Sequence, residues 1–92
     1  MRLRWSRQST QHLVGIRSYI AQYNPDAAER VRLQLIAAVR LLQALPRLGH
    51  AGRKKGTREL VVPHLPYIIV YGFDSRDAEV VILGIFHAAQ DR

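Results

Sequence analysis

The chain has 92 residues, 48% apolar, 23% charged and no cysteine; this describes one globular domain over 1–92 and excludes disulfides, thiolate nucleophiles and cysteine zinc sites. No apolar run follows the charged start, and the longest apolar stretch, around Tyr67–Tyr71, falls far short of the roughly 20 residues that span a bilayer, so a cytoplasmic location without membrane contact is expected. Fourteen Lys+Arg against seven Asp+Glu give a net charge of +7, which attracts polyanions and acidic partners without naming them.

Leu3-Arg4-Trp5-Ser6 alternates and is short, which predicts a first strand over about 2–6. Leu13, Ile16, Ile20 and Tyr23 then fall at helical spacing, one apolar face of a helix. Asn24-Pro25 opens a second helix: Asn caps well, and Pro suits the first helical position. Asp26 and Glu29 follow in the first turn, where the helix dipole favours negative charge. Ala28, Val31, Leu35, Ala38, Leu42 and Leu45 form a long stripe that must end before Pro46. The short connection at Asn24 predicts an antiparallel helical hairpin.

Residues 46–57 read as a loop rich in glycine and basic residues. The period then becomes two. Arg58–Val62 reads as a strand, and Pro63-His64-Leu65-Pro66 as a turn, because two prolines do not fit a central strand. Tyr67–Phe73, β-branched and aromatic, is the strongest strand. Asp74–Asp77 is a polar hairpin loop, Glu79–Phe86 a last strand, and His87–Arg92 a tail. The order β-α-α-β-β-β predicts an α+β domain with the helical hairpin packed on one face of a small, mainly antiparallel sheet.

Strict alternation gives both sheet faces apolar residues. Tyr67, Ile69, Tyr71 and Phe73 oppose Ile68, Val70 and Gly72, while Val81, Leu83 and Ile85 oppose Val80, Ile82 and Phe86. Two helices cover one face only. The other therefore calls for a partner, or for a sheet curled over its own concave side. Charge is also uneven: residues 1–58 carry twelve basic and two acidic groups, residues 59–92 two and five.

The succession Asn24-Pro25-Asp26-Ala27-Ala28, a long helix ending at Leu45-Pro46, Gly52–Leu60, Pro66–Tyr71 and Val81–His87 resembles the RelE/ParE superfamily of toxins from type II toxin–antitoxin modules, from Arg4 to Gln90. The resemblance implies a toxin of this fold that works without a metal or cofactor. It also implies a ParD-like antitoxin that folds on binding, for which Leu35, Val39, Leu42, Tyr67, Ile69, Tyr71 and Phe73 are the candidate contacts. RelE-like members cleave messenger RNA on the ribosome with clustered basic and acid–base side chains. Where they carry an arginine ahead of the third-strand core, this chain has Ile68, and an aliphatic group does not stabilise a phosphorane. Lys54, Lys55, Arg58 and His87 are the residual catalytic candidates. ParE-like members lack that set and poison DNA gyrase, and this chain is closer to them. The candidate target-binding residues are then Arg53, Lys54, Lys55, Arg58 and His87, with direct nucleic-acid contact available to the loop cations. The four histidines show no ligand spacing, so no metal site is expected.

Overall fold

A computed structural model describes residues 1–90; Asp91 and Arg92, the end of the expected tail, lie outside the described residues. The chain runs β1 (Arg2–Trp5), α1 (Arg7–Ala21), α2 (Pro25–Ala44), β2 (His50–Ala51), β3 (Thr57–Val61), β4 (Tyr67–Asp74) and β5 (Glu79–His87).

Helix α1 starts at Arg7, well ahead of its apolar stripe, because Ser6 caps it. The Ser6 hydroxyl accepts from the Ser9 N–H at 3.1 Å, and the Ser9 hydroxyl donates back to the Ser6 carbonyl at 2.8 Å. Helix α2 opens as the sequence predicts: Asn24 Oδ1 accepts from the Ala27 N–H at 3.0 Å, with Pro25 and Asp26 in the first turn. Glu29 ties the two helices together, accepting from Arg17 Nε at 3.4 Å and Arg32 Nε at 3.1 Å.

The strands form one five-stranded sheet in the order β1-β5-β4-β3-β2. Only β1–β5 is parallel; β5–β4, β4–β3 and β3–β2 are antiparallel. The two-residue β2 lies inside the segment read as loop. It follows a proline and carries no alternating pattern of its own; pairing with Arg58 and Glu59 makes it a strand. Where β1 ends, α1 closes the edge of β5. Ser6 Oγ donates to the Leu83 carbonyl at 3.2 Å, and His12 Nδ1 accepts from the Ile85 N–H at 3.1 Å.

Strict alternation fails in β5. Val70 pairs with Gly84 but Tyr71 with Ile82, so Leu83 is an extra residue on its strand. The bulge reverses the phase, and Ile85 joins Val80 and Ile82 on the helix-covered face rather than opposing them. With Leu35, Val39 and Leu42 of α2 and with Ile69 and Tyr71 of β4, these residues form the core, each at most 3% exposed. A fully buried side chain of this kind contributes about 1.5–3 kcal/mol.

The surplus apolar surface is not where strand alternation alone suggests. On the face turned away from the helices, the open face, Ile68, Val70, Val81, Leu83 and Phe86 are all half-buried. The strongly exposed large apolar residues are mainly on the helical hairpin and the segment after it: Val14, Tyr19, Tyr23, Leu33, Leu41, Leu45 and Leu48 are 46–74% exposed. Among the described residues no helix is long and apolar enough to cross a membrane.

Candidate functional site

Alternation along β3 sends Arg58 and Leu60 towards the helices and Thr57 and Glu59 to the open face, where they sit beside Gly72 and Val70. There a cleft of about 230 Å³ is lined by apolar Val70, Leu83 and Phe86, by polar Gln8 and Thr57, and by Arg53, Lys54 and Glu59. The Leu83 bulge helps to shape this cleft. The Phe86 ring lies back over Gly84 so closely that a Cβ there would stand 2.6 Å from the ring, and its edge meets the His12 ring with centroids 5.0 Å apart.

The basic loop is held to the sheet by its own backbone and by Glu59. Gly52 N–H donates to the Thr57 carbonyl at 2.8 Å, and the Thr57 N–H and hydroxyl both donate to the Lys54 carbonyl, at 3.1 and 2.6 Å. Gly56 takes φ +83°, the left-handed turn conformation that glycine adopts without strain. The Arg53 N–H donates to Glu59 Oε2 at 3.2 Å, and His50 Nε2 stands 3.9 Å from the same carboxylate. Glu59 is only 5% exposed. A carboxylate under the loop thus offsets part of its charge and fixes its root, while Arg53, Lys54 and Lys55 themselves stay exposed.

The candidate residues separate into three places. Arg53 and Lys54 line the cleft, with Lys55 next to them on the loop. Arg58 begins on the helix side, and its guanidinium donates to the Gly49 carbonyl at 2.6 Å and the Arg47 carbonyl at 3.1 Å. Beside it the Tyr71 hydroxyl donates to the Pro46 carbonyl at 2.7 Å and accepts from the Gly49 N–H at 2.9 Å. Arg58 is therefore a fastener of the segment that leads into β2. His87 lies at the opposite end of β5, paired with Tyr67. Tyr67 and Gly72, which mark the two ends, are five residues apart on β4, about 16 Å along the strand. The His87 ring packs edge-on to Tyr67 at 5.8 Å, and its Nδ1 accepts from the Ala89 N–H at 3.1 Å. Burial and the neighbouring Tyr19 push the Tyr67 phenol above its ordinary pKa.

Of the expected partner contacts, Leu35, Val39, Leu42, Ile69 and Tyr71 have no exposed surface and pack in the chain's own core. Tyr67 and Phe73 stay half-buried, Tyr67 next to His87 and Phe73 beneath the Arg47 guanidinium at 5.5 Å. Glu59, Leu83 and Phe86, which build the cleft, were not singled out by sequence reasoning. The Thr57/Glu59 alternation carried a signal for Glu59. The bulge that organises Leu83 and Phe86 left none. No group of three or more potential metal ligands occurs among the described residues.

Comparison with known proteins places this geometry in a family. Residues 3–92 match the family model described as the ParE toxin of the type II toxin–antitoxin system parDE. "Putative toxin Y4kP" of Sinorhizobium fredii is 45% identical over 97% of this chain and 90% of its own length. Toxin RelE2 of Caulobacter vibrioides is 36% identical over 94% and 93%. Among solved structures, a chain of the chromosomal ParDE system from P. aeruginosa superposes with a TM-score of 0.85 over 95% of both chains at 23% identity, which shows a shared fold. With the family model covering nearly all of the sequence and these relatives aligned end to end, the chain belongs to the ParE toxin family of type II toxin–antitoxin systems.

Proposed function

We propose that the protein acts in the cytoplasm as a single-domain toxin that inhibits DNA gyrase by binding, and that a ParD-like antitoxin neutralises it. One observation carries the choice of target. The four groups available for ribonuclease chemistry do not converge: Lys54 and Lys55 sit on the loop at one end of the sheet, His87 is at the other end, and the Arg58 guanidinium is spent on the Arg47 and Gly49 carbonyls. General acid–base catalysis needs its groups within hydrogen-bond reach of one reacting centre, about 3 Å. Binding to a target has no such requirement. A cationic rim around an apolar cleft suits a protein or nucleoprotein surface.

A ribonuclease reading draws on a different feature. The Glu59 carboxylate lies in the cleft with Lys54, and a carboxylate beside a lysine is an acid–base pair in outline. The two readings separate in one pair of assays. Purified toxin at stoichiometric excess is expected to block gyrase supercoiling and to leave ribosome-bound messages intact. Full gyrase activity under those conditions refutes the gyrase target. Cleaved messages, lost in Glu59→Gln, establish the alternative.

A further inference from the structure

We propose that the cleft on the open face of the sheet is a base pocket that takes guanine, as a guanine nucleotide. The inference goes beyond the gyrase reading and does not depend on it. Deep in the cleft is a carboxylate. Glu59 lines it and is 5% exposed, and Glu59 Oε2 accepts from the Arg53 N–H at 3.2 Å, which fixes the group in place. The walls are apolar and aromatic, from Val70, Leu83 and Phe86. The Phe86 ring is itself held, packed over Gly84 and edge-on to the His12 ring at 5.0 Å. Arg53 and Lys54, both exposed, stand at the mouth.

Size limits the occupant. The cleft's volume of about 230 Å³ is less than the roughly 300–1,000 Å³ of pockets that enclose a drug-sized ligand. That leaves room for one planar ring system, with whatever it is attached to remaining outside. The order of charges from depth to mouth then selects its chemistry. A simple cation suits Glu59 but meets Arg53 and Lys54 first. A simple anion suits the mouth but not the carboxylate. A flat ring that donates hydrogen bonds at its inner edge and carries an anionic group at its outer end satisfies both, and a nucleotide is such a molecule.

Hydrogen bonding selects the base. A carboxylate only accepts. Guanine sets N1–H and an N2 amino hydrogen side by side, a pair of donors that matches the two oxygens of one carboxylate. Adenine and cytosine each offer one amino group beside a ring nitrogen that accepts, and uracil offers one N–H between two carbonyls. Each of these turns an acceptor towards Glu59. The Gln8 amide, which also lines the cleft, carries a donor suited to guanine O6. Phe86 supplies a ring for the base to stack on, and Arg53 and Lys54 supply the charge for the phosphate.

The test is calorimetry of the full chain with GMP, IMP, AMP and UMP. GMP is expected to bind best, IMP, which lacks the 2-amino donor, about tenfold more weakly, and AMP and UMP on the order of 100-fold more weakly. Added salt should weaken GMP through the mouth cations without changing its lead over IMP. Glu59→Gln, whose amide oxygen still accepts from the Arg53 N–H, should erase most of the lead of GMP over AMP; a merely structural role for Glu59 would lower all four alike. Phe86→Leu should weaken GMP about tenfold. Thermal melts check that both variants fold, and the ranking on the wild-type chain decides if they do not. A thymidine heptanucleotide with one central deoxyguanosine separates two sources of the same base. Binding tighter than GMP assigns the pocket to a guanine within a single strand, and binding no tighter assigns it to the free nucleotide; either upholds the guanine pocket. Equal affinity for all four nucleotides shows cations holding phosphate alone and overturns the proposal. So do the absence of binding at millimolar GMP and an unchanged ranking in Glu59→Gln.

Discussion

The Tyr71 hydroxyl ties the segment between α2 and β2 to the sheet, and its removal makes a quantitative test. Tyr71 is fully buried, and its hydroxyl makes two hydrogen bonds to the 46–49 segment, one to the Pro46 carbonyl and one from the Gly49 N–H. Tyr71→Phe keeps the ring and leaves both backbone groups without that partner. The half-buried Pro46 carbonyl can be reached by water, whereas Gly49 is buried. An unsatisfied buried donor costs about 1–3 kcal/mol and a lost exposed bond less, so the sum is about 2 kcal/mol. For a domain of this size that lowers the melting temperature by about 8–16 °C. Urea unfolding followed by circular dichroism should show the midpoint falling by about 2 M with an unchanged slope. Arg58 holds the same loop through the Gly49 carbonyl, so Tyr71→Phe and Arg58→Met should couple in a double-mutant cycle by more than about 0.5 kcal/mol. A Tyr71→Phe chain within about 0.5 kcal/mol of wild type would show that the loop is held elsewhere and that Arg58 is free for another role.

Three further outcomes follow from other contacts. Gly84→Ala puts a methyl group 2.6 Å from the Phe86 ring and 3.2 Å from His12 Nδ1; the ring must swing out of the cleft, at a cost of about 1–3 kcal/mol, seen as a lowered melting point and shifted Phe86 ring resonances. Ala78 sits at φ +50°, in the left-handed region, so Ala78→Gly should raise stability by about 0.5–1 kcal/mol in the same melts, since strain of about 1–2 kcal/mol is relieved against a larger unfolded-state entropy. Glu29 is held below its ordinary pKa of 4.5 by the Arg32 hydrogen bond, then by the charges of Arg32 and Arg17. With the folded value depressed, its contribution is present above pH 4.5 and lost as pH falls through the folded value. Glu29→Gln should therefore lower stability at neutral pH, flatten the acid limb of a stability–pH curve, and leave the two proteins alike at the acid end.

What could be read in the sequence, and what could not, follows from how far apart the deciding residues lie. Both helices were legible because their signals are local: Asn24-Pro25-Asp26 is a cap, a first-turn proline and a dipole partner in three consecutive residues. Strands β3, β4 and β5 were legible because β-branched and aromatic alternation is also local. Strand β2 was not, because its two residues are a strand only by virtue of Arg58 and Glu59 across the ladder. The bulge at Leu83 was not, because it is a mismatch between two strands and neither strand alone contains it.

The same distinction governs the site. Composition brought the loop cations into view, since Arg53, Lys54 and Lys55 are adjacent in the chain. It could not show that Glu59 grips the backbone of Arg53, nor that Arg58 turns to the opposite side of the sheet to hold the Gly49 carbonyl. Two neighbours, Arg58 and Glu59, thereby come to serve opposite faces, because a strand divides its residues by parity. A basic run read as one patch is in fact divided between a solvent-facing loop and a structural clamp. It follows that substitutions at Arg53 to Lys55 should alter target binding with little loss of stability, and that substitutions at Arg58 should do the reverse. A stability-neutral Arg58→Ala chain that has lost toxicity would contradict that division, and would return Arg58 to the set of residues that meet the target.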